Sequence, residues 1–284
     1  MRKIVIVLIL LIILVSCNLN VDFLGYFYSY STPNQRFTES QSLEDRVSTE
    51  SLTSTGDSYS FSIISDVHVN EDTEYFEKLI DEILPADDII IFDCGDSVQS
   101  GTFEQFSKYK EIMDGSGKFW FQSIGNHDLY YSGWKNYKKT IGKSSYKIEI
   151  GTEGSSGSLL AIILDSGNAA IGNLQKNWLE EILVSESGLW NHIIVLTHSN
   201  FFSNRATTVV QYGDPDEVYY LMSLFEEYGV SYVFMGHEHQ WSQRIINNVT
   251  YVTLDPVIDR NNSSYEHVTI NGDELSLERV YIDY

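Results

Sequence analysis

Five short stretches of the chain carry residues that commonly bind metal ions. They contain five of the seven histidines in the sequence. Carboxylate, imidazole and amide oxygen together form a mixed donor set that zinc, manganese and iron all accept. The pattern therefore predicts a centre for a pair of metal ions. The stretches are Asp66-Val67-His68, Gly95-Asp96, Gly125-Asn126-His127-Asp128, Thr197-His198 and Gly236-His237-Glu238-His239.

The segments between these stretches alternate between predicted strands and predicted helices. Apolar runs at residues 88–92 and 192–196 indicate buried strands, whereas residues 73–84 have apolar side chains at helical spacing. This alternation favours an α/β fold with a parallel core sheet. Each of the five stretches follows a predicted strand, and ligands of open α/β sheets bind beyond the carboxyl ends of the strands. We therefore expect the five stretches to meet at one crevice.

Taken in order, the five stretches resemble the motifs of the calcineurin-like metallophosphoesterase superfamily. That pattern is Asp-x-His, Gly-Asp-x-x-x-x-Gly, Gly-Asn-His-Asp/Glu, a single His, and Gly-His-x-His. Every motif is present, the second as Gly95-Asp96 followed by Gly101, and the resemblance covers about residues 60–255. The resemblance implies a layered α/β/β/α sandwich with metals at the C-terminal ends of the core strands.

The resemblance also implies a role for each motif residue. Asp96 bridges two ions, His127 faces the substrate without binding metal, and Asp128 orients His127. The first ion is held by Asp66, His68, Asp96 and His239, and the second by Asp96, Asn126, His198 and His237.

The residue spacing agrees with such a centre on physical grounds. Two ions roughly 3.5–4 Å apart stabilise the attacking and leaving oxygens of an in-line displacement at phosphorus, and they lower the pKa of a bound water. In extended backbone, residues two apart face the same way, so we expect Asp66 and His68 to reach one ion. Gly95 is expected to permit a sharp turn before Asp96. Taken singly, Asp66 also fits a helix N-cap and Gly125-Asn126 fits a turn.

These motifs imply hydrolysis of a small phosphate ester, either a monoester or a diester, by water activated at two metal ions. Manganese, iron and zinc are all admissible. Gln99 stands where purple acid phosphatases place a tyrosine ligand, which disfavours a tyrosinate–iron(III) centre. The alternative is a catalytically silent surface lipoprotein that keeps the scaffold for binding, and the complete ligand set argues against it.

Residues 1–16 have the pattern of a lipoprotein signal peptide. A basic start at Arg2 and Lys3 precedes an unbroken apolar run of 12 residues, too short for an ordinary transmembrane helix. The sequence Leu14-Val15-Ser16-Cys17 resembles a bacterial lipobox, so we expect Cys17 to be lipidated. A plain secretory signal is the alternative.

The anchor predicts a location and a domain organisation. Residues 17–58, rich in Ser and Thr, are expected to form a flexible tether, and residues 59–284 the metallophosphoesterase domain. We expect an extracytoplasmic protein, lipid-anchored to a bacterial membrane. The other cysteine, Cys94, reads as a small core residue.

The chain has a formal charge of −22 and lacks the extended basic face that binds nucleic acids, so no nucleic-acid partner is expected. Trp178 is expected to pack in the core, and Asp165 is expected in a turn at the end of a strand.

Residues 129–143 form a basic and aromatic cluster in this acidic chain. Its lysines are candidates for phosphate contacts and its aromatic rings for stacking on a flat leaving group. The alternative is a solvated loop with the aromatic rings packed beneath it. The candidates are Tyr130, Tyr131, Trp134, Lys135, Lys138 and Lys139, with a second wall at Phe201, Phe202 and Arg205.

Overall fold

The computed structural model describes residues 31–46, 52, 55–202, 213–258 and 263–283. The predicted signal peptide at residues 1–16, the lipidation site Cys17 and the candidate substrate residue Arg205 lie outside these ranges. Within the described ranges, no helix is both long enough and apolar enough to cross a membrane.

Strands and helices alternate through most of the described chain, as the sequence predicts. The helix α2 continues into one turn of π-helix at Leu79–Ile83, and a 3₁₀ turn spans His127–Leu129. The α-helices are α1 (Pro33–Gln41), α2 (Glu74–Lys78), α3 (Phe103–Gly115), α4 (Gly133–Thr140), α5 (Gly172–Glu186) and α6 (Pro215–Glu227). The strands are β1 (Ser58–Ile64), β2 (Ile90–Asp93), β3 (Phe119–Gln122), β4 (Tyr146–Ile150), β5 (Leu159–Ile163), β6 (His192–Leu196), β7 (Tyr232–Met235), β8 (Ser242–Ile246), β9 (Val249–Thr253), β10 (Ser264–Asn271) and β11 (Glu274–Tyr281).

The strands form two sheets. The first has the order β11-β10-β1-β2-β3, in which β1, β2 and β3 are parallel and β10 and β11 are antiparallel additions. The second has the order β4-β5-β6-β7-β9-β8, with parallel central strands and antiparallel edges β4 and β8. The carboxyl ends of three parallel strands in the first sheet and of β5, β6 and β7 in the second are therefore available to carry ligand loops.

Alternate side chains of the buried strands face different layers. In β5, Ala161 and Ile163 belong to a cluster with Phe61 of β1, between the two sheets. Leu160 and Ile162 pack instead with residues of α5 and α6. On the other side, α2, α3 and α4 cover the first sheet through a separate apolar cluster. The arrangement is a mixed α/β fold of two sheets with flanking helices, which confirms the predicted fold class.

Residues 31–46 differ from the flexible tether that the sequence predicts for residues 17–58. Thr32 caps α1 by accepting a hydrogen bond from Gln35 N, and Arg36, Phe37 and Ser40 are buried. Polar composition concealed this helix, because two of its three buried residues are polar and contribute no apolar periodicity. Leu52 is also buried, in the apolar cluster between the two sheets, and Ser58 begins β1. For the parts of residues 17–58 that lie outside the described ranges, the tether stays a prediction.

Candidate functional site

All five predicted stretches lie at carboxyl ends of parallel strands. Asp66, Asp96 and Asn126 follow β1, β2 and β3 of the first sheet, and His198 and His237 follow β6 and β7 of the second. Their side chains meet where the two sheets face each other. Three groups of residues could each hold a metal ion. Within each group, the imidazole nitrogen and carboxylate oxygen atoms all lie within 4.8 Å of one another. The groups are Asp66, His68 and His239; His68, Asp96 and His127; and Asp96, His198 and His237.

Five of the seven candidate ligands have left-handed backbone conformations, which side chains with a Cβ adopt rarely. The φ angles are 54° at Asp66, 50° at His68, 55° at Asp96, 72° at His237 and 51° at His239. The extended backbone predicted for Asp66 and His68 is therefore wrong. Their side chains converge because the chain coils at each strand end. Two backbone hydrogen bonds, from Asp66 N to Gly95 O (3.0 Å) and from His68 N to Asp96 O (2.9 Å), hold the first two loops together.

Two glycines allow the ligand loops to approach closely. A Cβ added at Gly125 would lie 2.2 Å from Asp96 Oδ1. A Cβ added at Gly236 would lie 2.1 Å from Ser65 Oγ and 2.7 Å from Asp66 Oδ2. Contacts this short are sterically forbidden, so both positions require glycine for the candidate ligands to keep their places.

Asp96 lies at the centre of the cluster. Its Oδ1 accepts a hydrogen bond from His127 N (2.7 Å), while its Oδ2 lies 3.3 Å from His198 Nε2 and 3.9 Å from His68 Nε2. Burial alone would raise the pKa of Asp96, but neighbouring imidazoles, chiefly that of His198, hold this pKa well below its usual range. Asp96 therefore contacts both halves of the site as an anionic group.

The atoms around Asn126 show what the second half of the site would bind. Asn126 Oδ1 lies 3.0 Å from His198 Nε2 and 2.9 Å from His237 Nδ1. His198 Nδ1 donates to Cys94 O (3.0 Å), which directs the Nε2 lone pair of a neutral His198 ring toward Asn126 and Asp96. In that neutral form, nitrogen and oxygen lone pairs converge on one point, as the ligands of a metal ion do.

At neutral pH and without a metal ion, His198 is charged whereas His68 and His237 are uncharged, so a metal ion would replace a proton at His198 Nε2. Burial is the largest influence on the pKa of His198 and would lower it, but the charges of Asp96 and Asp66 raise it to about 10. Burial lowers the pKa of His68 to about 3 and that of His237 to about 4. These two rings are uncharged at neutral pH, which is the form that binds metal.

Asp66, His68 and His239 form the first half of the site. Asp66 Oδ1 lies 3.2 Å from His239 Nε2, and the Nε2 atoms of His68 and His239 are 3.3 Å apart. Asp66 Oδ2 accepts hydrogen bonds from Ser65 Oγ (2.6 Å) and His237 N (3.1 Å), which fix the carboxylate. The donor set of nitrogen and oxygen atoms fits a transition-metal ion.

The structure contradicts the prediction that Asp128 orients His127. The Asp128 carboxylate is fully buried and accepts hydrogen bonds from three backbone N–H groups, those of Asp96 (3.0 Å), Val98 (3.1 Å) and Gly125 (2.9 Å). Its two oxygens therefore contact main-chain N–H groups, while the Nδ1 atom of His127 contacts Gln99 O. Asp128 therefore holds two ligand loops in place.

The imidazole of His127 is oriented by a main-chain carbonyl instead. His127 Nδ1 donates to Gln99 O (2.9 Å), which leaves Nε2 as the atom available to the site. The ring packs edge-on against His68, with 4.5 Å between ring centroids, and lies 4.6 Å from the ring of Tyr130. His127 therefore lies beside the cluster with one defined tautomer.

Sequence reasoning missed Ser166, which follows β5. Its Oγ accepts hydrogen bonds from Thr197 Oγ1 (2.7 Å), His198 N (3.1 Å) and Ser199 N (2.8 Å). Asp165, predicted as a turn residue, is buried and forms an ion pair with Arg36. The only sequence signal was their position at a strand end, because serine and aspartate are common in turns.

The predicted basic and aromatic cluster is divided by the fold. Trp134 is buried and donates to Glu39 Oε2 (2.8 Å), and Lys138 pairs with the same carboxylate (2.6 Å). Tyr131 is 56% exposed, and Tyr130 is half-buried beside the ring of His127. Tyr130 and Tyr131 therefore remain candidates for substrate contact, while the indole ring packs under α1.

The other candidates have separate positions. Lys135 is exposed, and Lys139 lies over the ring of Phe103 at 4.4 Å. Phe201 is buried in the core between the second sheet and its helices, with Phe202 packed against the same cluster. As predicted, Trp178 packs on the core and Cys94 is a buried free thiol.

Comparisons with known proteins match the chain to one family model and one fold. The family model described as calcineurin-like phosphoesterase matches residues 59–241, more than half of the chain. No curated protein sequence matched.

Three solved structures with this fold are 10–15% identical to the chain. A dimetal phosphatase from Danio rerio has a TM-score of 0.62 at 10% identity, covering 79% of this chain and 97% of its own. A purple acid phosphatase from yellow lupin (Lupinus luteus) seeds has a TM-score of 0.60 at 14% identity, covering 80% of this chain and 52% of its own, so this chain spans about half of the lupin protein. GAP50, the anchor in the inner membrane complex of Plasmodium, has a TM-score of 0.53 at 15% identity, covering 81% and 90%. At these identities the likeness concerns the fold.

Proposed function

Because the chain belongs to the calcineurin-like phosphoesterase family, we propose that it hydrolyses small phosphate esters with two bound metal ions as cofactors. The observation that carries this proposal is the convergence of imidazole, carboxylate and amide lone pairs around Asp96. When bound, such ions lower the pKa of a water molecule and neutralise charge on phosphoryl oxygens.

The candidate ligands divide into two sets that share Asp96. Zinc, manganese and iron all suit this mixture of nitrogen and oxygen donors. The first set is Asp66, His68, Asp96 and His239, and the second is Asp96, Asn126, His198 and His237.

His127 is the proposed catalytic group beside the ligands. Its hydrogen bond to Gln99 O fixes the proton on Nδ1, so Nε2 faces the site. A protonated Nε2 would stabilise negative charge on the phosphoryl group or donate its proton to the leaving oxygen. Asp128 supports this chemistry indirectly, by holding the loop of Asp96.

A paired substitution experiment tests the assignment. His127→Ala should retain both metals and lose about 10²–10⁴-fold in the rate of p-nitrophenyl phosphate hydrolysis. Asp96→Ala should lose metal as well as activity. His267→Ala, far along the chain in β10 beside Asp88, is the matched control and should behave as the wild type. Full activity in His127→Ala would exclude its proposed role.

The substrate is either a phosphomonoester or a phosphodiester. The net charge of −22 disfavours nucleic acid, so we propose a small phosphate ester. Rates on p-nitrophenyl phosphate and bis(p-nitrophenyl) phosphate, each with manganese, zinc and iron, would separate the two classes.

A binding module without catalysis is the second candidate. GAP50, which is described as an anchor, is among the structures that share this fold. The complete set of seven candidate ligands favours the enzyme. Metal analysis of the purified chain, followed by turnover assays after metal addition, discriminates between the two candidates. Bound metal together with turnover supports the enzyme. Absence of both bound metal and turnover supports the binding module.

We also propose that the chain is an extracytoplasmic lipoprotein, anchored through Cys17 to a bacterial membrane. The support is the sequence of residues 1–17, with its basic start, apolar run and lipobox-like end. Cys17→Ser should abolish incorporation of labelled fatty acid and move the protein from the membrane to the soluble fraction. Unchanged labelling would exclude Cys17 as the site.

A further inference from the structure

Arg36 lies outside the region that matches the family, yet it is completely buried. Its guanidinium forms a fork with Asp165: Nε donates to Oδ2 and Nη2 donates to Oδ1, both at 2.7 Å. Its Nη1 donates to Ser31 O (3.0 Å) and to Asn168 Oδ1. A bidentate pair of this kind fixes direction as well as distance.

Asp165 begins a short segment that contacts two ligand loops. Its main chain is held on both sides by Gln175, whose Oε1 accepts from Asp165 N and whose Nε2 donates to Asp165 O, both at 2.8 Å. The next residue, Ser166, accepts the backbone N–H of His198. A Cβ at Gly167 would lie 2.8 Å from Gly125 O, so this residue packs directly against the Gly125-Asn126 loop.

The segment of residues 165–167 therefore touches the loops of two candidate ligands, Asn126 and His198. Both belong to the set proposed for the second metal ion. Without Arg36, the buried Asp165 carboxylate would lose its charged partner and keep the long hydrogen bond from Gly167 N (3.4 Å), a state that proteins avoid by rearrangement or protonation. Either response would move Ser166 and release the backbone of His198.

We propose that Arg36 is a positioning residue for the second metal site, acting through Asp165 and Ser166 on His198. The proposal rests on the proposed function, because it concerns the affinity of that site for metal. It gives one residue of α1, upstream of the matched region, a part in holding the metal centre.

Other contacts of α1 dock the helix without touching Asp165, and they supply a matched control. Glu39 pairs with Lys138 and accepts from Trp134 Nε1. Glu39→Gln should loosen the helix while leaving the fork of Arg36 intact. Arg36→Lys keeps the charge but replaces the fork with a single ammonium group.

The experiment measures manganese affinity of the full-length chain by competition with a chromogenic chelator, together with kcat, KM and Tm. Substitutions behind metal ligands commonly weaken affinity about 10–100-fold. We expect Arg36→Lys to weaken one of the two manganese equivalents by about 10-fold and to lower kcat with little change in KM. Glu39→Gln should keep both affinities within about twofold, even where it lowers Tm as much.

A second variant keeps the proposal testable if Arg36→Lys fails to fold. Ser166→Ala removes the acceptor of the His198 N–H without touching α1 and should show the same selective loss. If a folded Arg36→Lys or Ser166→Ala protein binds both manganese ions with wild-type affinity, the role proposed for Arg36 is overturned and the proposed function is not. Absence of manganese binding in the wild type would overturn the proposed function together with this inference.

Discussion

Substitution of Asp128 by asparagine distinguishes the role seen in the structure from the one predicted from sequence. The buried carboxylate accepts from Asp96 N and Gly125 N at Oδ2, and from Val98 N at Oδ1. In Asp128→Asn, one oxygen can still accept two of these bonds. The amide NH₂ must then face the N–H of Val98, so one bond is lost and two donors oppose each other.

The magnitude follows from these three bonds. Burial and the charge of Asp96 raise the pKa of Asp128 well above its usual range, and the hydrogen bonds from Gly125 N and Val98 N oppose that rise. Loss of a hydrogen bond costs about 0.5–1.5 kcal/mol when the acceptor is neutral and about 1.5–3 kcal/mol when it is charged, and a buried donor without an acceptor adds about 1–3 kcal/mol. We therefore expect Asp128→Asn to lower the free energy of unfolding by about 3–5 kcal/mol. In a chain of this size, that corresponds to a Tm decrease of roughly 6–20 °C.

Thermal and urea unfolding of the purified protein, with a parallel manganese titration, measures this effect. The control is Asp45→Asn, because Asp45 is exposed and pairs with Lys143 on the surface. Metal affinity should fall with stability in Asp128→Asn, since the loops of Asp96 and Gly125 both loosen. A variant with wild-type Tm and metal affinity, but a shifted pH–rate profile, would refute this reasoning and restore Asp128 as the partner of His127.

Three further changes have defined outcomes. Gly236→Ala should lower stability by about 1–3 kcal/mol and weaken metal binding, because its Cβ would displace Ser65 and Asp66; normal metal affinity would contradict the close packing. Removal of metal by EDTA should lower Tm by roughly 10–20 °C, since saturation at 100 Kd adds about 2.7 kcal/mol per site and about 5.4 kcal/mol for the two proposed sites; a Tm insensitive to EDTA would count against a metal centre. Burial, opposed by the hydrogen bond from Trp241, raises the pKa of Glu266 to about 7. The folded state then binds the proton more tightly than the unfolded state, so this carboxyl is most favourable to folding below pH 4.5 and its contribution falls between about pH 4.5 and 7. Relative to wild type, Glu266→Gln should therefore gain up to about 3 kcal/mol in urea unfolding between pH 5 and pH 8, whereas a pH-independent difference would disprove the assignment.

The sequence predicted the positions of the candidate ligands because they follow strands with strong apolar signatures. Strand β6 is one such run, and the residues directly after it include His198. The strand ends then bring distant motifs together, as α/β topology requires. Ligand roles remain predictions, since they depend on metal binding.

Features that depend on side-chain direction escaped prediction. Asp128 follows His127 in sequence, which suggested a pair, but the 3₁₀ turn aims the two side chains apart. Arg36 and its partner Asp165 are 129 residues apart, and neither belongs to an apolar pattern. Periodicity reports burial of apolar faces and gives no signal for a buried ion pair.

Because five candidate ligands have a left-handed backbone conformation, selection for stability and selection for metal binding favour different residues at these positions. Each non-glycine residue in this conformation costs roughly 1–2 kcal/mol, so five together approach the entire folding stability of a typical domain. Glycine at these positions would relieve the strain and remove the donor atom at the same time. We infer that mutants gathered in a screen for thermal stability alone would accumulate at Asp66, His68, Asp96, His237 and His239. Stability engineering of this protein should therefore hold those five codons fixed.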